Sequence, residues 1–209
     1  MDLQTFIILG SSGSGKGTQT RMLNQYLEEV DKERGVIELV MGDNLRELWR
    51  RQGYTEERSK ELMELGKLQP SFLQIYTWTQ FFIDNLEGNE HLIVDGTPRR
   101  IEDAIAMDSA FRFYERPKPK FIFLDISREE AKKRLLERSA QSKNKTDLRS
   151  IEDEEEKIES RLDWFEEFVL PAVDFFKNNP DYKFINIDGE LPVEEVHRSI
   201  IKKAFEDDL

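Results

Sequence analysis

Five short apolar runs punctuate the chain, at residues 5–9, 36–40, 91–94, 120–124 and 184–187. Each is continuous rather than alternating and gives way to polar residues or glycine, as strands buried on both faces do. Between the first two runs the period lengthens. Leu23, Leu27 and Val30 recur at helical spacing, and Arg34-Gly35 closes that segment before the second run begins. Strand, helix, strand is the unit from which parallel sheets are built. The fold class expected is therefore α/β, a three-layer αβα arrangement around a five-stranded parallel sheet.

Residues 41–90, between the second and third runs, exceed what a simple crossover needs. Residues 46–63 are amphipathic, Gly66 breaks that pattern, Pro70 stops the short stretch after it, and an aromatic-rich segment (Phe72, Ile75, Tyr76, Phe82) returns to the core. The pattern predicts an inserted helical unit. Its Trp78, Phe81 and Phe82 form a stripe at helical spacing and read as core rather than as ligand stackers. Ser127-Arg128-Glu129-Glu130 is a capping box that opens a helix to about Arg138, which places Arg134 and Arg138 on one face. Residues 139–150 are polar, locally basic and aperiodic, and are expected to form a mobile loop. A second long helix is expected from about Ile151, with Ile158, Leu162, Phe165 and Val169 as its buried seam and a kink at Pro171. The acids from Glu152 to Glu156 suit its first turn. A final helix starts near Pro192 and packs through Val193, Val196 and Ile200.

Composition narrows the partners. The 209 residues suit one domain with an insertion. With no cysteine and only His91 and His197, a cysteine-ligated zinc or a multi-histidine metal site is not expected. No basic signal region or long apolar span appears, so a cytosolic protein without membrane contact is expected. The net charge of −12 is uneven: residues 1–150 carry 24 Lys/Arg against 25 Asp/Glu, whereas 151–209 carry 7 against 18. Such a chain binds a polyanion through local cationic clusters and not through its overall field, which argues against nucleic acid.

One cluster is explicit. Gly10-Ser11-Ser12-Gly13-Ser14-Gly15-Lys16-Gly17-Thr18 comes directly after the first strand with the spacing of a phosphate-binding loop. Glycines let successive N–H groups face inward, the helix start adds its dipole, and Lys16 adds a charge for the phosphates of a nucleoside triphosphate. The general motif has Ser or Thr after the lysine to ligate magnesium, whereas this chain has Gly17, so phosphates and water would hold most of the ion. Arg46, Arg99, Arg134, Arg138, Arg149 and Arg161 lie at or beyond the ends of core elements. No general base or Ser-His-Asp pattern accompanies them. A phosphate loop with arginines and no base fits phosphoryl transfer to an acceptor that is already anionic, because a phosphate oxygen attacks without deprotonation. A nucleoside monophosphate is such an acceptor.

In these motifs the chain resembles the adenylate kinase family of nucleoside monophosphate kinases, in its short-lid form, over nearly its whole length. Gly17-Thr18-Gln19 resembles the end of the family's glycine-rich loop, with Ser12 where proline is usual. Gly42-Asp43-Asn44-Leu45-Arg46, Gly66-Lys67-Leu68 with Pro70, and Asp95-Gly96-Thr97-Pro98-Arg99 resemble its acceptor segments, Thr97 standing for an aromatic. Arg134 to Arg138, then Asp153, Glu156 and Arg161-Leu162, resemble its lid-flanking segments. The resemblance implies a single P-loop NTPase-type kinase domain over 1–209, an inserted monophosphate-binding subdomain over 43–73 and a short lid, without zinc, over 139–150. It implies Mg2+ with ATP, and a monomer acting on small nucleotides. Lys16, Arg99, Arg138, Arg149 and Arg161 would be the catalytic set, Arg99 gripping the acceptor phosphate with Arg46 and the other four surrounding the transferring phosphoryl. Gly13, Ser14, Gly15, Lys16, Gly17 and Thr18 would cradle ATP, whose adenine would meet Arg134 and the backbone near Leu191. Met41, Gly42, Arg46, Lys67, Leu68 and Gln69 would bind the monophosphate together with Gly96, Arg99 and Asp103, and Asp95 would order magnesium-bound water. The spacing from Arg149 to Asp153 is one residue longer than the family's pattern, whose place holds Ser150.

Adenylate-specific members resemble one another in a Thr and a Gln where this chain has Met41 and Asp103. An ionised Asp only accepts, which suits guanine N1–H better than adenine N1, and Gln69 replaces an aliphatic residue. The resemblance therefore implies AMP first, with GMP or the pyrimidine monophosphates CMP, UMP and dTMP next, or else a solvent-facing Asp103. Two rivals are weaker. Asn144-Lys145-Thr146-Asp147 matches the guanine-reading tetrapeptide of GTPases, yet it comes after a polar stretch with no strand. A catalytically silent nucleotide-binding protein does not explain why Lys16, Arg46, Arg99, Arg138 and Arg161 are all present.

Overall fold

All five runs become strands of one parallel sheet: β1 (Thr5–Gly10), β2 (Val36–Val40), β3 (His91–Asp95), β4 (Lys120–Asp125) and β5 (Lys183–Asp188). Their order is β2-β3-β1-β4-β5. The structure, a computed structural model, describes residues 1–141 and 155–205. Ile7 of β1 registers with Val94 of β3 on one side and Phe121 of β4 on the other. Because side chains alternate across a strand, Ile7 and Leu9 face one layer and Phe6 and Ile8 the other. Helices α4 (Ser71–Asn85), α5 (Ile101–Phe113) and α8 (Leu170–Lys177) cover the first face, and α1 (Lys16–Val30) and α9 (Val193–Phe205) the second. The expected three-layer αβα fold is what forms.

The segment between β2 and β3 folds as α2 (Met41–Leu48), α3 (Tyr54–Glu64) and α4. The helix expected over 46–63 is thus two helices. Residues 50–53 offer no apolar side chain to bury, and extended Gly53 starts α3 instead of continuing α2. On α4 the helical period holds but its phase does not. Leu73, Gln74, Thr77, Trp78 and Phe82 face inward, whereas Phe72 and Tyr76, expected in the core, are 67% and 48% exposed. Apolar residues lie all around this helix, so its pattern cannot select a face. Phe82 is the centre of an aromatic group, with ring centroids 5.4 Å from Trp78 and 6.1 Å from both Phe111 and Tyr114.

Two further helices carry the remaining arginines, α6 (Arg128–Gln141) and α7 (Glu155–Trp164). They meet through Ala131, Leu135, Ile158 and Leu162. Arg128 ties them outside that seam, donating to Glu159 and Asp163 at 2.7 Å and to Glu166 at 3.0 Å. The capping box at Ser127 closes differently from expectation. Ser127 Oγ accepts the Glu130 N–H at 3.3 Å, but Glu190, from the turn after β5, takes the Ser127 N–H at 2.8 Å. The cap therefore joins the carboxyl ends of β4 and β5. After α7 the chain widens into a π-helical turn, Phe165–Val169, just before Pro171 in the first turn of α8. Pro171, where a kink is expected, thus falls in the first turn of a new helix after a π-helical turn. Val193 is a correction, being 45% exposed, while Val196 and Ile200 are buried as expected. Residues 142–150 of the expected lid, the tetrapeptide 144–147, Arg149, Ser150, Asp153 and the start of the second long helix lie outside the described residues.

Phe82→Ala removes a ring 1% exposed and in contact with four others, those of Trp78, Phe81, Phe111 and Tyr114. Stability should fall by about 3–5 kcal/mol, read as a lower urea midpoint at unchanged slope.

Candidate functional site

The phosphate loop leaves the carboxyl end of β1, the central strand. Gly15 caps α1 in the left-handed region, at φ 91°, and no side chain caps the helix start. Only Thr18 and Gln19 turn their N–H groups back onto Gly15 O, at 3.0 and 3.1 Å. The helix start is thus available to an anion. Lys16 Nζ donates to Gly10 O at 2.8 Å and Ser11 O at 2.9 Å. Burial lowers its pKa from 10.5 to about 8; Asp95 opposes that shift, and Arg99, Arg161 and Arg138 add to it. Arg138 and Arg161, expected with Lys16 around a transferring phosphoryl, thus act on it in the folded chain, as do Arg99 and Asp95. Burial also raises the Asp95 carboxyl above its ordinary range, against the pull of Lys16.

Beside the loop opens a cavity whose polar wall is Gly42, Arg46, Lys67, Gln69, Arg99 and Arg161. Each of its arginines is aimed by an oxygen. Arg99 Nε donates to Gly96 O at 2.7 Å, Arg46 to Asp43 at 2.6 Å, and Arg161 to Ser12 Oγ at 2.7 Å. Ser12, noted in the sequence only as a replacement for proline, therefore orients an arginine. Trp49 and Trp164 complete the wall. The Arg99 guanidinium lies over the Trp164 ring, 5.5 Å from its centroid. Both tryptophans were invisible as site residues, because neither belongs to a motif near the loop.

A family model described as Adenylate kinase matches residues 8–181. Adenylate kinase 1 of Schistosoma mansoni is 30% identical over 193 residues, covering 92% of this chain and 88% of that protein. A uridylate kinase of Saccharomyces cerevisiae is 29% identical over 210 residues, covering 99% and 93%. UMP-CMP kinase 1 of Oryza sativa subsp. japonica is 29% identical over 194 residues, covering 92% and 70%.

The chain belongs to the adenylate kinase family. It is a phosphotransferase of the nucleoside monophosphate kinase class. Among the described residues no helix is long and apolar enough to cross a membrane.

For an adenylate kinase family member, the other expected site residues divide. Arg134 donates to Glu130 at 2.7 Å and to Gly189 O at 2.9 Å, which sets it beside the turn leading to Leu191. Arg138 is exposed on α6, yet its charge reaches Lys16. Met41 and Leu68 are buried and do not line the cavity, and Gly96 acts through its carbonyl. Gln69 does line it, but its amide is engaged. Oε1 accepts from Ser59 Oγ at 2.8 Å and Nε2 donates to Ser59 O at 2.9 Å, while Trp49 Nε1 donates to that same hydroxyl at 2.7 Å.

Asp103 is the main correction. It does not face solvent, being 0% exposed, and three donors already hold its carboxylate. Trp78 Nε1 donates to its Oδ1 at 2.6 Å, and Thr97 Oγ1 and the Arg99 N–H donate to its Oδ2 at 3.0 and 2.9 Å. Burial raises its pKa against those three hydrogen bonds. Asp103 is therefore a positioning residue for the Arg99 loop.

Two outcomes are expected. Binding of phosphates that restore Lys16 to its ordinary pKa must draw a proton from solution above pH 8. ATP affinity should then fall about tenfold per pH unit between pH 8 and 10, with calorimetry showing proton uptake at pH 9 and none at pH 7. Asp103→Asn turns an amide N–H toward a donor and should cost about 1–3 kcal/mol. It should raise KM for the acceptor while leaving KM for ATP unchanged.

Proposed function

We propose that the chain transfers the γ-phosphoryl group of ATP to a nucleoside monophosphate, AMP foremost (ATP + AMP = 2 ADP), in line and without a protein base. The observation that carries this reading is a phosphate loop joined to a cationic cavity: Arg161 lines the cavity with Arg99 and donates to Ser12 of the loop, and both arginines act on Lys16. An acceptor phosphate held by Arg46 and Arg99 needs no deprotonation, so the chain's task is alignment and stabilisation of charge on the transferring group. A phosphate oxygen forms the new P–O bond as the bond to the ADP oxygen breaks, and the negative charge passes to ADP.

Residues 43–73 serve in this reading as the acceptor subdomain and 139–150 as the short lid, with Arg149 and the lid's larger part outside the described residues. Arg134 and the backbone near Leu191 receive the adenine of ATP. Asp95, the Thr20 hydroxyl beside it, and the buried Ser14 hydroxyl, which has no partner among the described residues, are hard oxygen donors near the loop. They suit Mg2+ and its water shell. Bound with ATP, the ion neutralises charge on the β- and γ-phosphate oxygens. Asp103 gives GMP no support, since its carboxylate is closed off. Pyrimidine monophosphates stand next to AMP, because relatives of comparable similarity bear the names uridylate kinase and UMP-CMP kinase. We read the protein as a cytosolic monomer acting on free nucleotides.

A coupled assay with Mg-ATP and AMP, GMP, CMP, UMP and dTMP tests this. At least one monophosphate should be converted to its diphosphate, fastest with AMP, and Lys16→Met should lower that rate at least about a hundredfold. Nucleotide hydrolysis indifferent to every monophosphate, or an undiminished Lys16→Met variant, would refute the reading.

A further inference from the structure

Gln74 is wholly buried on α4, at 0% exposure, yet its Oε1 has no hydrogen-bond partner among the described residues. Its Nε2 donates to the main-chain oxygen of Gln69 at 3.0 Å, and Gln69 lines the acceptor cavity. One turn along the same inward face stands Trp78, which donates to Asp103, and Asp103 in turn holds the Arg99 N–H. Gln74 does not itself line the cavity but is tied through Gln69 to its wall, and it lies one turn from Trp78, which holds the carboxylate that anchors the Arg99 loop. A core position that needed only volume would take Leu or Met. An amide oxygen enclosed there without a donor is costly unless a donor arrives.

We propose that Gln74 Oε1 accepts a hydrogen bond from an N–H on the nucleobase of the acceptor nucleotide, which makes Gln74 a base-reading residue of the monophosphate site. The proposal rests on the kinase reading above. The carboxamide brings an acceptor, and a second Nε2 hydrogen beside it, to a site where Gln69 is consumed by Ser59 and Asp103 by Trp78, Thr97 and Arg99. It suits a base edge with an N–H next to a lone pair, such as the amino group beside N1 of adenine or N3–H beside O4 of uracil. Among the described residues, nothing else on the inward face of α4 offers an uncommitted polar atom of this kind.

The test is the acceptor profile of Gln74→Met, a near-isosteric apolar replacement. Relative to the unaltered protein, kcat/KM for the preferred monophosphate should fall about tenfold or more. The poorest acceptors should change by less than about threefold, so the profile flattens, and KM for ATP should hold. An equal loss for every acceptor, or no loss, overturns the proposal; Oε1 is then satisfied by a buried water and Gln74 merely holds Gln69. Should Gln74→Met not fold, the unaltered protein is compared on its preferred nucleotide and on the same nucleotide lacking the N–H. Purine riboside monophosphate replaces AMP, and N3-methyl-UMP replaces UMP. A loss under about threefold overturns the proposal. If no monophosphate is phosphorylated at all, it is the kinase reading that has failed, before Gln74 is reached.

Discussion

Like charge gathered at one point is the constraint on which this structure depends. Burial holds Lys16 down to a pKa of about 8, with Arg99, Arg161 and Arg138 pressing the same way and Asp95 opposing. Such a cluster persists only where each cation has somewhere to donate. Neutral oxygens are among those acceptors: Gly10 and Ser11 carbonyls for Lys16, Gly96 carbonyl for Arg99, Ser12 hydroxyl for Arg161. A neutral acceptor orients a cation without cancelling its charge, so the field is still offered to phosphate. A protein of net charge −12 thereby keeps a cationic centre without a cationic surface.

Holding those oxygens still is the work of the surrounding layers. β1 is flanked by β3 and β4 and buried on both faces, so the loop that leaves it has a fixed root. Asp103 does the same for the Arg99 loop, receiving three donors in a closed site, one from α4 and two from the loop itself. Arg128 aligns α6 with α7 through Glu159 and Asp163, and with the π-helical turn after it through Glu166, beside their small apolar seam. Surface pairs contribute little singly. A guanidinium shared by three acids sets a mutual position that none of those pairs would set alone.

How much the sequence disclosed depends on how local each signal is. The strands, the phosphate loop and the arginines at element ends are written in contiguous residues, and those among the described residues formed where expected. Phase and partnership were not legible. Phe72 and Tyr76 point outward because α4 is apolar all round, and the break between α2 and α3 lies in a stretch whose polarity suits either a helix surface or a turn. Asp103 was read by the chemistry of its side chain alone, whereas its role comes from Trp78, 25 positions away. Gln74 did carry a signal: an amide amid Phe72, Leu73, Ile75 and Tyr76 breaks an apolar run for no local reason. Family resemblance draws attention to positions already known to matter, and Gln74 was not among them.

The two halves of the site meet at one carbonyl. Gly66 ends the turn after α3 at φ 67°, a conformation that suits glycine, and a Cβ there would lie 3.1 Å from Lys157 Cα. Its oxygen accepts from both Ser160 Oγ and Trp164 Nε1 at 3.2 Å. Gly66, Lys67 and Gln69 belong to the acceptor wall; Ser160 and Trp164 flank Arg161 on α7, which reaches Ser12 of the phosphate loop. Any larger residue at 66 would push the acceptor wall from the helix that carries Arg161. The close approach of Gly66 to the Lys157 backbone thus holds the cavity wall against the helix whose Arg161 reaches the phosphate loop. On the kinase reading proposed above, in-line transfer depends on how that contact spaces the two halves, since the chain would supply alignment and charge and no base.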